Sequence, residues 1–428
     1  MRVLVVGSGA REHAIAWKLK QSLGIDQVLV APGNAGTQQI AQNVSIAVEG
    51  INGLVRLVQE KHIGLTVVGS EVPLAAGIAD RFQKAGLLIF GPTQAAAQLE
   101  ASKAWAKRLM WQLDVPTGTA RIFEDPKAAL DYVAICPLPI VVKADGLAQG
   151  KGVEVCHTRK QAIQAVKARM VEKVFGAEGS RVLLEEYLAG QEISVFAFVD
   201  GENVSLLMAA CDYKRAGEDD TGPNTGGMGA YSPPAETVWT PELEHQVHTQ
   251  IMEPVVGALA ERGTPYRGVL YAGLILTTSG PKVIEFNCRL GDPEAQVVLP
   301  RLLRPDLFEV MLTIARDEDI RDISFTWDPW VCVGVVMASG GYPERQTYPA
   351  YQIEGLDEVD KDVFVFHAGT KQSPGSGKIL TNGGRVLTLA MLGPTYDKAR
   401  VVLYRNVDHI RFPDAFYRSD IALPGTGR

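Results

Sequence analysis

The chain has 428 residues, of which 46% are hydrophobic and 21% charged, and its formal net charge is −7. This length predicts roughly two to four domains, the composition is typical of a globular protein, and the acidic excess argues against a nucleic-acid-binding face. The longest uncharged apolar run, 132–142, contains prolines and is too short to span a membrane, and the five cysteines include no CxxC pair. Since the sequence starts without a signal-peptide pattern, we expect a cytoplasmic protein with neither disulfide framework nor zinc site.

Strand and helix patterns alternate from residue 1 to about residue 100. Continuous apolar runs predict buried strands at 3–6, 27–30, 65–68 and 87–90. Apolar residues at helical spacing predict one helix through Ile51, Leu54, Val55 and Val58 and another through Leu74, Ile78 and Phe82. Because the connections are short, this alternation predicts a doubly wound parallel sheet.

Two further kinds of pattern follow along the chain. A second unit, from about 119 to 188, is predicted to contain helices near 126–134 and 159–174 and strands at 139–145, 152–156 and 181–187. From 189 the pattern becomes antiparallel, because hairpin turns at Asp200-Gly201 and Ser279-Gly280-Pro281 separate apolar runs. The last part of the chain predicts short strands, a hairpin at 381–384 and one helix near 394–404.

The sequence GSGARE at 7–12 directly follows the first predicted strand. Glu12 stands where the third glycine of a dinucleotide fingerprint belongs, and no acidic residue follows the second strand to hold a ribose diol. The motif is therefore only a weak indication of a nicotinamide-binding site. It is instead typical of a helix N-terminus that offers amides to a phosphate or polar substrate, or of a tight turn without a ligand.

A glycine-rich segment, KADGLAQGKGV, lies between two predicted strands. It is one residue short of a Walker loop, and Gly152 occupies the hydroxyl position of that motif. Gly146, Gly150 and Gly152 favour a flexible flap whose amides fold over phosphates, and Lys143 supplies a positive charge at the end of the preceding strand. The alternative is a solvent-exposed hairpin.

The motif VIEFN, which begins at Val283, predicts polar chemistry on a strand. Because side chains alternate along a strand, we expect Glu285 and Asn287 to share one face with Val283. The intervening Ile284 and Phe286 are then expected to face the core. A carboxylate and an amide oxygen on one face are hard ligands of the kind that Mg²⁺ accepts, although a solvated strand face is the alternative.

Arg289 continues the same face, if the strand extends that far. A planar guanidinium is suited to hold a carboxylate through two parallel hydrogen bonds. The alternative is that Arg289 pairs with Asp292 or Glu294 and only braces the following turn.

A long stretch without hydrophobic periodicity, 212–234, is dense in glycine, asparagine, threonine and aspartate. Loops of this length are usually either functional or disordered. Met228 and Tyr231 favour packing over disorder, and Asp212 and Lys214 place charge where the loop begins.

Together these segments resemble one family, the glycinamide ribonucleotide synthetases of the ATP-grasp superfamily. The resemblance covers essentially the whole chain, and its most specific part is GPNTGGMGAYSP at 222–233. The other matching segments are GSGAREHA, GPT (91–93), SKAWAK (102–107), KADGLAQGKGV, LLEEYLAGQE (183–192), KRAGEDDT, VIEFNCRLGDPE, HAGTK (367–371) and TNGGRV (381–386). Ala10, Tyr213 and Leu290 depart from the family pattern, but none of them removes a charged or metal-binding group.

The resemblance implies a multidomain fold of the α/β and α+β classes. It implies an N-terminal Rossmann-like domain with a parallel sheet at 1–103, an ATP-grasp domain at 104–325 and a small β-rich C-terminal domain at 326–428. Within the ATP-grasp domain, 119–188 would form the nucleotide lid and 189–325 the metal and substrate subdomain.

The implied activity is ligation of glycine to 5-phospho-D-ribosylamine in de novo purine biosynthesis. The glycine carboxylate would attack the γ-phosphate of ATP, and the ribosylamine nitrogen would then displace phosphate from the glycyl phosphate. The resemblance implies Mg²⁺ or Mn²⁺ as the metal and ATP, glycine and phosphoribosylamine as partners. We expect no nucleic acid or membrane partner and a monomer or weak homodimer.

The resemblance also implies roles for individual residues. Glu285 and Asn287 would bind the metal, and the implied catalytic residues are Lys143, Lys214 and Arg289. The implied ATP contacts are Lys103, Lys143, Gly146, Gly150, Gly152, Glu185, Tyr187, Leu188 and Glu192. The implied substrate contacts are Gly9, Arg11, Asp212, Lys214, Asn224, Gly227, Arg289, Lys371 and Arg385.

Three other functions remain open at this point. A related ATP-grasp carboxylase would use bicarbonate instead of glycine, although GPNTGGMGAYSP speaks against it. Glu12 opposes a nicotinamide oxidoreductase built on the first domain. A catalytically silent binding protein would not need Lys143, Glu285 and Arg289.

Overall fold

The computed structural model describes residues 1–147 and 152–423, and its first unit is a five-stranded parallel sheet. The sheet has the order β3-β2-β1-β4-β5, with β1 Arg2–Gly7, β2 Gln27–Pro32, β3 Gln42–Asn43, β4 Leu65–Val68 and β5 Ile89–Phe90. Its helices are α1 Ala10–Leu19, α2 Thr37–Ile40, α3 Ile51–Lys61, α4 Glu71–Ala75, α5 Ile78–Gln83, α6 Gln98–Ala101 and α7 Lys103–Gln112. The parallel sheet predicted from the alternating pattern is therefore confirmed.

The predicted helix through Leu74, Ile78 and Phe82 is wrong as a single element. All three side chains are buried, but Gly77 has φ +83° and separates α4 from α5. Glycine reaches this left-handed conformation without steric cost, so the chain turns there while the apolar spacing is kept.

A four-stranded antiparallel sheet forms the second unit, in the order β6-β9-β7-β8. Its elements in chain order are β6 Ala120–Phe123, α8 Pro126–Ile135, β7 Ile140–Ala144, β8 Val153–Cys156, α9 Arg159–Met170, a 3₁₀ turn at Gly176–Gly179 and β9 Val182–Glu186. Asp125 caps α8, and a capping box of Thr158 and Gln161 begins α9. The two helices and the sheet enclose a core of their own.

The largest sheet has eight strands and is antiparallel throughout, in the order β16-β15-β10-β11-β14-β19-β23-β20. The strands up to residue 287 are β10 Gln191–Gly201, β11 Met208–Asp212, β12 Arg215–Gly217, β13 Thr221–Asn224, β14 Gly229–Ser232, β15 Tyr266–Thr277 and β16 Gly280–Asn287. The later strands are β17 Leu302–Arg304, β18 Thr326–Trp327, β19 Val331–Ala338, β20 Phe364–His367, β21 Thr370–Gln372, β22 Ile379–Thr381 and β23 Arg385–Gly393. The pairs β12–β13, β17–β18 and β21–β22 form separate ribbons.

Five helices accompany these strands. They are α10 Pro241–Val247, α11 Glu253–Glu261, α12 Ala295–Val298, α13 Leu307–Ala315 and α14 Tyr396–Val407, with a π-helical turn at His248–Met252 and 3₁₀ turns at Glu218–Asp220 and Leu299–Arg301. Val3 and Val5 of β1 share one buried cluster with Phe196 and Phe198 of β10. Helix α13 contacts β4 and β5 of the parallel sheet and β10 and β15 of the eight-stranded sheet, and thereby joins the two sheets.

The hairpins predicted at Asp200-Gly201 and at 279–281 are confirmed, because β10 pairs with β11 and β15 with β16. The hairpin predicted at 381–384 is wrong, because β22 pairs with β21 whereas β23 joins the eight-stranded sheet. That sheet runs continuously through strands on both sides of residue 326. The boundaries at 103, 325 and within the ATP-grasp unit stay predictions.

None of the helices in 1–147 and 152–423 has the length and apolar character needed to cross a membrane.

Two buried histidines join α1 to β20. The Nδ1 atom of His13 accepts a hydrogen bond from the His367 backbone N–H at 2.9 Å, and the Asn34 side chain donates to the carbonyls of Ser8 and His367. Burial, with a smaller effect of His367, lowers the pKa of His13 to about 3, and burial lowers the pKa of His367 to about 4. Both imidazoles are therefore neutral in the folded protein.

We expect the free energy of unfolding to fall in mild acid because the unfolded histidines, with a pKa of about 6.5, take up protons that the folded ones do not. The loss begins near pH 6.5 and amounts to about 2 kcal/mol per histidine between pH 7 and pH 5. Thermal melting across this range measures it. The substitution His367→Gln should reduce the pH dependence, whereas a control, His62→Gln at an exposed position, should retain it. Equal pH dependence in both variants would contradict this assignment.

Candidate active site

A cavity of about 780 Å³ lies between the three units. Its walls come from α7, from β7 and β9 of the four-stranded sheet and from β10, β11 and β16 of the eight-stranded sheet. Arg11 and Glu71 reach it from the segments after β1 and β4, which are neighbours in the parallel sheet. Ligand sites of open α/β sheets lie at such carboxyl ends.

The structure brings most of the predicted site residues to this cavity. The predicted residues that line it are Arg11, Lys103, Lys143, Gly146, Gly152, Glu185, Tyr187, Leu188, Glu192, Asp212, Lys214, Asn224, Glu285, Asn287, Arg289 and Arg385. Gly150 lies outside the described residues.

Three predicted residues do not line the cavity. Lys371 is exposed on the β21–β22 ribbon, which pairs apart from the sheet that carries Arg385, so its role in substrate binding stays a prediction. Gly9 donates its backbone N–H to Glu12, and a Cβ there would lie 3.1 Å from Asp292. Gly227 has φ +113°, and a Cβ there would lie 2.4 Å from Pro293. The absence of a side chain at Gly9 and Gly227 thus lets the backbone pack closely against Asp292 and Pro293, next to the cavity.

A buried ion-pair chain connects α7 to the four-stranded sheet. The Nζ atom of Lys107 lies 2.6 Å from Glu185 Oε1, and the Nζ atom of Lys143 lies 2.6 Å from Glu185 Oε2. Lys143 also donates to the carbonyl of Ile284 at 3.0 Å, and Lys103 donates to the carbonyl of Gly146 at 2.7 Å. Burial lowers the pKa of Lys107 to about 8, against the opposing effect of Glu185. The Glu185 carboxylate therefore fixes two lysines at once.

Lys214 lies between two carboxylates, those of Glu192 and Asp212. Its Nζ atom is 2.6 Å from Glu192 Oε1 and 3.3 Å from Asp212 Oδ2. Burial raises the pKa of Asp212, although the Lys214 charge opposes the shift. Burial alone would lower the pKa of Lys214, but Asp212 and Glu192 raise it well above its usual value. Lys214 is therefore a permanent cation.

A β-bulge in β16 sets the face that Glu285 presents. Glu285 is opposite Gly273 and Val283 is opposite Leu274, so Ile284 is an extra residue in the strand. Val283 is consequently in the core, and Ile284 lines the cavity beside Glu285. The expectation that Val283 shares a face with Glu285 while Ile284 faces the core is wrong, because the bulge interrupts the alternation.

Glu285 and Asn287 nevertheless lie side by side, as predicted, with Asn287 Nδ2 3.4 Å from Glu285 Oε1. Burial would raise the pKa of Glu285, but Lys214, Lys103 and Lys143 together lower it, so the carboxylate is ionised. Within residues 1–147 and 152–423, no group of three or more histidine, cysteine, aspartate or glutamate side chains is placed to hold a metal ion.

Arg289 lies just beyond the end of β16. Its guanidinium is 2.8 Å from Glu100 Oε1 and 3.3 Å from Glu71 Oε2, and it donates to Asn287 Oδ1 at 3.1 Å. Its ion pairs are therefore not made with Asp292 or Glu294, the two partners of the alternative interpretation. Glu100 also accepts a hydrogen bond from the backbone N–H of Cys288 at 2.7 Å.

Sequence reasoning missed Glu71, Glu100 and Lys107. Two local signals could have found some of them. Glu71 follows β4 as GSGARE follows β1, and adjacent parallel strands end at the same edge. Lys107 is four residues after Lys103 on α7, so the two side chains share one helix face. For Glu100 we find no signal in the sequence.

The comparisons with known proteins agree over the full length. Models of the phosphoribosylglycinamide synthetase N domain, ATP-grasp (A) domain and C domain match residues 1–100, 101–295 and 332–424. A phosphoribosylamine–glycine ligase of Vibrio vulnificus is 48% identical over 100% of this chain and 99% of its own length. The chain belongs to the phosphoribosylamine–glycine ligase family. The corresponding ligase of Caldanaerobacter subterraneus is 45% identical over 99% of both chains.

Solved structures show how widely this ATP-grasp fold is shared. The crystal structure of phosphoribosylamine–glycine ligase from Thermotoga maritima has a TM-score of 0.83 and 31% identity, covering 99% of this chain and 100% of that one. The biotin carboxylase domain of a Hydrogenobacter thermophilus 2-oxoglutarate carboxylase has a TM-score of 0.72 at 17% identity, covering 97% of this chain and 91% of that one. The second likeness concerns the fold alone.

The bulge in β16 leads to opposite expectations for two neighbouring residues. Val283→Ala should lower the free energy of unfolding by about 2 kcal/mol, because it removes buried methyl groups and leaves a cavity. Ile284→Ala should lower it by less than about 1 kcal/mol and should instead raise the KM for the nucleotide, because Ile284 lines the cavity. Thermal melting and steady-state kinetics of the matched pair measure both effects. The reverse pattern would contradict the bulge.

Proposed function

We propose that the chain is an ATP-dependent ligase that joins glycine to 5-phosphoribosylamine and forms glycinamide ribonucleotide, ADP and phosphate, a step of purine biosynthesis. The observation that carries the proposal is the placement of Arg289 beside Asn287 and Glu285 in a cavity that also contains Lys103 and Lys143. The guanidinium suits a carboxylate, the two lysines suit a phosphate, and the oxygen atoms of Glu285 and Asn287 suit a metal ion between them. The full-length family membership supports the same activity.

The lysines are proposed to bind the phosphates of ATP. Lys103 and Lys143 both line the cavity, and burial lowers the pKa of Lys103 against the opposing effect of Glu285. Gly146 and Gly152 border the segment proposed as the flap over the phosphates. Water must be excluded there, because an acyl phosphate is readily hydrolysed.

The adenosine part of ATP is proposed to lie along β9 and the start of β10. Tyr187 and Leu188 would present backbone groups to the adenine, since the Glu185 side chain is already held by two lysines. Glu192 is proposed to receive the ribose diol. Its ion pair with Lys214 would then hold the nucleotide next to the acceptor residues.

Glu285 and Asn287 fit a bound Mg²⁺ or Mn²⁺. The pair consists of an ionised carboxylate and an amide oxygen with a second lone pair beyond its bond to Arg289. Such hard donors suit Mg²⁺, which usually retains waters and phosphate oxygens in its shell. When bound, the ion would neutralise charge on the transferred phosphoryl group.

Arg289 is proposed to orient the glycine carboxylate. A carboxylate oxygen attacks the γ-phosphorus and ADP leaves. The ribosylamine nitrogen then attacks the glycyl carbonyl, loses a proton and displaces phosphate. Arg289 keeps the first nucleophile in line by holding both carboxylate oxygens with its planar guanidinium, which a single ammonium does less well.

The acceptor is proposed to bind on the opposite side of the cavity. The residues proposed for it are Arg11, Asp212, Lys214, Asn224 and Arg385, with Gly9 and Gly227 keeping the wall close. Arg385 donates to the carbonyls of Gly226 and Asp292 at 2.7 and 2.6 Å, so its position is fixed.

Release of ADP by the purified chain tests the proposal. Product should form only when ATP, glycine and phosphoribosylamine are all present, and labelled glycine should enter the product. Replacement of glycine by bicarbonate should give no turnover. Turnover with bicarbonate would instead identify a carboxylase.

Removal of the single carboxylate of the metal pair, in Glu285→Ala, should lower kcat by about 10²-fold or more, because the phosphoryl charge is then poorly neutralised. ADP release over a Mg²⁺ titration measures the effect. Glu261→Ala, at an exposed position of α11, is the matched control and should keep the wild-type rate. Near-normal turnover of Glu285→Ala at saturating Mg²⁺ would contradict the metal assignment.

Loss of the bidentate contact, in Arg289→Lys, should raise the KM for glycine or lower kcat by about 10- to 150-fold. The KM for ATP should change little, because the lysines that are proposed to bind phosphate remain. Arg108→Lys, at an exposed position of α7, is the control. A lower melting temperature with unchanged glycine dependence would show that Arg289 only braces Glu71 and Glu100.

A further inference from the structure

The last described residues fold back onto a ribbon at the edge of the cavity. We name residues 416–422 the clasp segment and residues 215–224, which comprise β12, the turn Glu218–Asp220 and β13, the acceptor ribbon. Contacting residues of the two segments, such as Asp219 and Asp420, are 201 positions apart in sequence, yet they are joined by side-chain and backbone hydrogen bonds.

Arg418 is the centre of this contact. Its side chain is only 1% exposed, although it carries a permanent charge. It makes two parallel hydrogen bonds to Asp420, at 2.7 and 2.6 Å, and its Nη1 donates to Asp220 Oδ1 at 2.8 Å and to the Arg215 carbonyl at 3.0 Å. Its guanidinium also lies 4.7 Å from the ring centre of Tyr213. Arg418 therefore connects the clasp segment to the first residue of β12 and to the turn of the acceptor ribbon.

Further contacts hold the same two segments together. The backbone N–H of Asp219 donates to Asp420 Oδ2 at 3.0 Å, and the backbone N–H and hydroxyl of Ser419 both donate to Glu218 Oε1. The Tyr213 hydroxyl accepts the backbone N–H of Ala422 at 2.8 Å. The ribbon is thus fixed from outside along its whole turn.

The clasp segment is itself anchored to the body of the protein. Phe416 forms a β-bridge with Ala338 at the end of β19, and the Tyr404 hydroxyl on α14 donates to the Arg418 carbonyl at 2.7 Å. Ile421 is fully buried. The segment can therefore transmit the position of the eight-stranded sheet to the ribbon.

The inner side of the ribbon belongs to the cavity wall. Arg215, Asp220 and Asn224 line the cavity, and Thr225 donates through its backbone and hydroxyl to the Lys214 carbonyl at 2.7 and 2.9 Å. Asp219 and Asp220 both have φ +52°, a left-handed conformation that non-glycine residues adopt at a cost. Such a turn persists when surrounding contacts determine it, and here the clasp segment provides those contacts.

We infer that Arg418 is a positioning residue of the ligase, because it holds the acceptor ribbon against the cavity so that Lys214 and Asn224 face the phosphoribosyl substrate. This inference rests on the proposed function. Arg418 does not line the cavity and is not expected to touch a substrate. Its effect should be larger on acceptor binding than on nucleotide binding, since only Glu192 of the proposed nucleotide residues contacts Lys214. Lys103, Lys143 and Glu185 lie on other elements.

The reverse reaction provides the test, with glycinamide ribonucleotide, ADP and phosphate as substrates and ATP formation as the readout. Arg418→Met should raise the KM for glycinamide ribonucleotide about tenfold, as expected for a lost charged contact, and leave the KM for ADP within about twofold. Arg418→Lys, which keeps the charge but makes fewer of the bonds, should lie between the wild type and Arg418→Met.

Two more variants complete the design. Glu218→Gln weakens the clasp from the exposed side of the ribbon and should raise the same KM about threefold without endangering the fold. Arg405→Met, on α14, removes an exposed ion pair with Asp360 and should change neither KM. If Arg418→Met fails to fold, Glu218→Gln decides the question.

Equal changes in the two KM values, or no change in either, for Arg418→Met and Glu218→Gln would overturn the inference and leave Arg418 with a structural role only. Failure of the inference is distinguishable from failure of the proposed function. In the second case the wild-type chain itself would not form ATP from glycinamide ribonucleotide, ADP and phosphate.

Discussion

The cavity depends on ion pairs that join three of its cations, Lys143, Lys214 and Arg289, to carboxylates from other parts of the chain. A buried charge without a partner loses several kcal/mol of hydration, so such a group is tolerated only with close counter-charges and hydrogen bonds. Lys143 on β7 is paired with Glu185 on β9, Lys214 with Glu192 on β10, and Arg289 after β16 with Glu71 and Glu100 on α4 and α6. The site is therefore complete only when the parallel sheet and both antiparallel sheets are assembled.

This pairing explains which parts of the site could be predicted from the sequence. Lys143, Glu285 and Arg289 lie in compact local motifs, where residue type and spacing already indicate phosphate, metal and carboxylate chemistry. Their partners are distant in sequence, since Glu71 and Glu100 precede Arg289 by more than a domain's length of chain. Lys371 lies in a motif that fits the family, but its strand pairs into a ribbon separate from the eight-stranded sheet, so its role stays a prediction.

The fold was predictable to a similar depth, and for a related reason. Periodicity reports the average environment of a segment, so it identified the parallel sheet, the second unit and both long hairpins. It could not report single-residue events. The extra residue Ile284 in β16 and the positive φ of Gly77 change which way later side chains point without changing the apolar count. The exchange of partners around 381–384 likewise depends on long-range strand pairing.

The same ion pairs also constrain how substrates enter. Lys103 is held by the Gly146 carbonyl, Lys143 by Glu185 and Arg289 by Glu100 and Asn287, so each cation already has a protein acceptor. An incoming anion has to share or displace that acceptor, which reduces the net free energy of binding for any single contact. Only a ligand that contacts several of these cations at once gains enough binding free energy to offset this loss. A phosphate chain between Lys103 and Lys143, adjoining a small carboxylate at Arg289, satisfies this condition, and an isolated anion at one of the three positions does not.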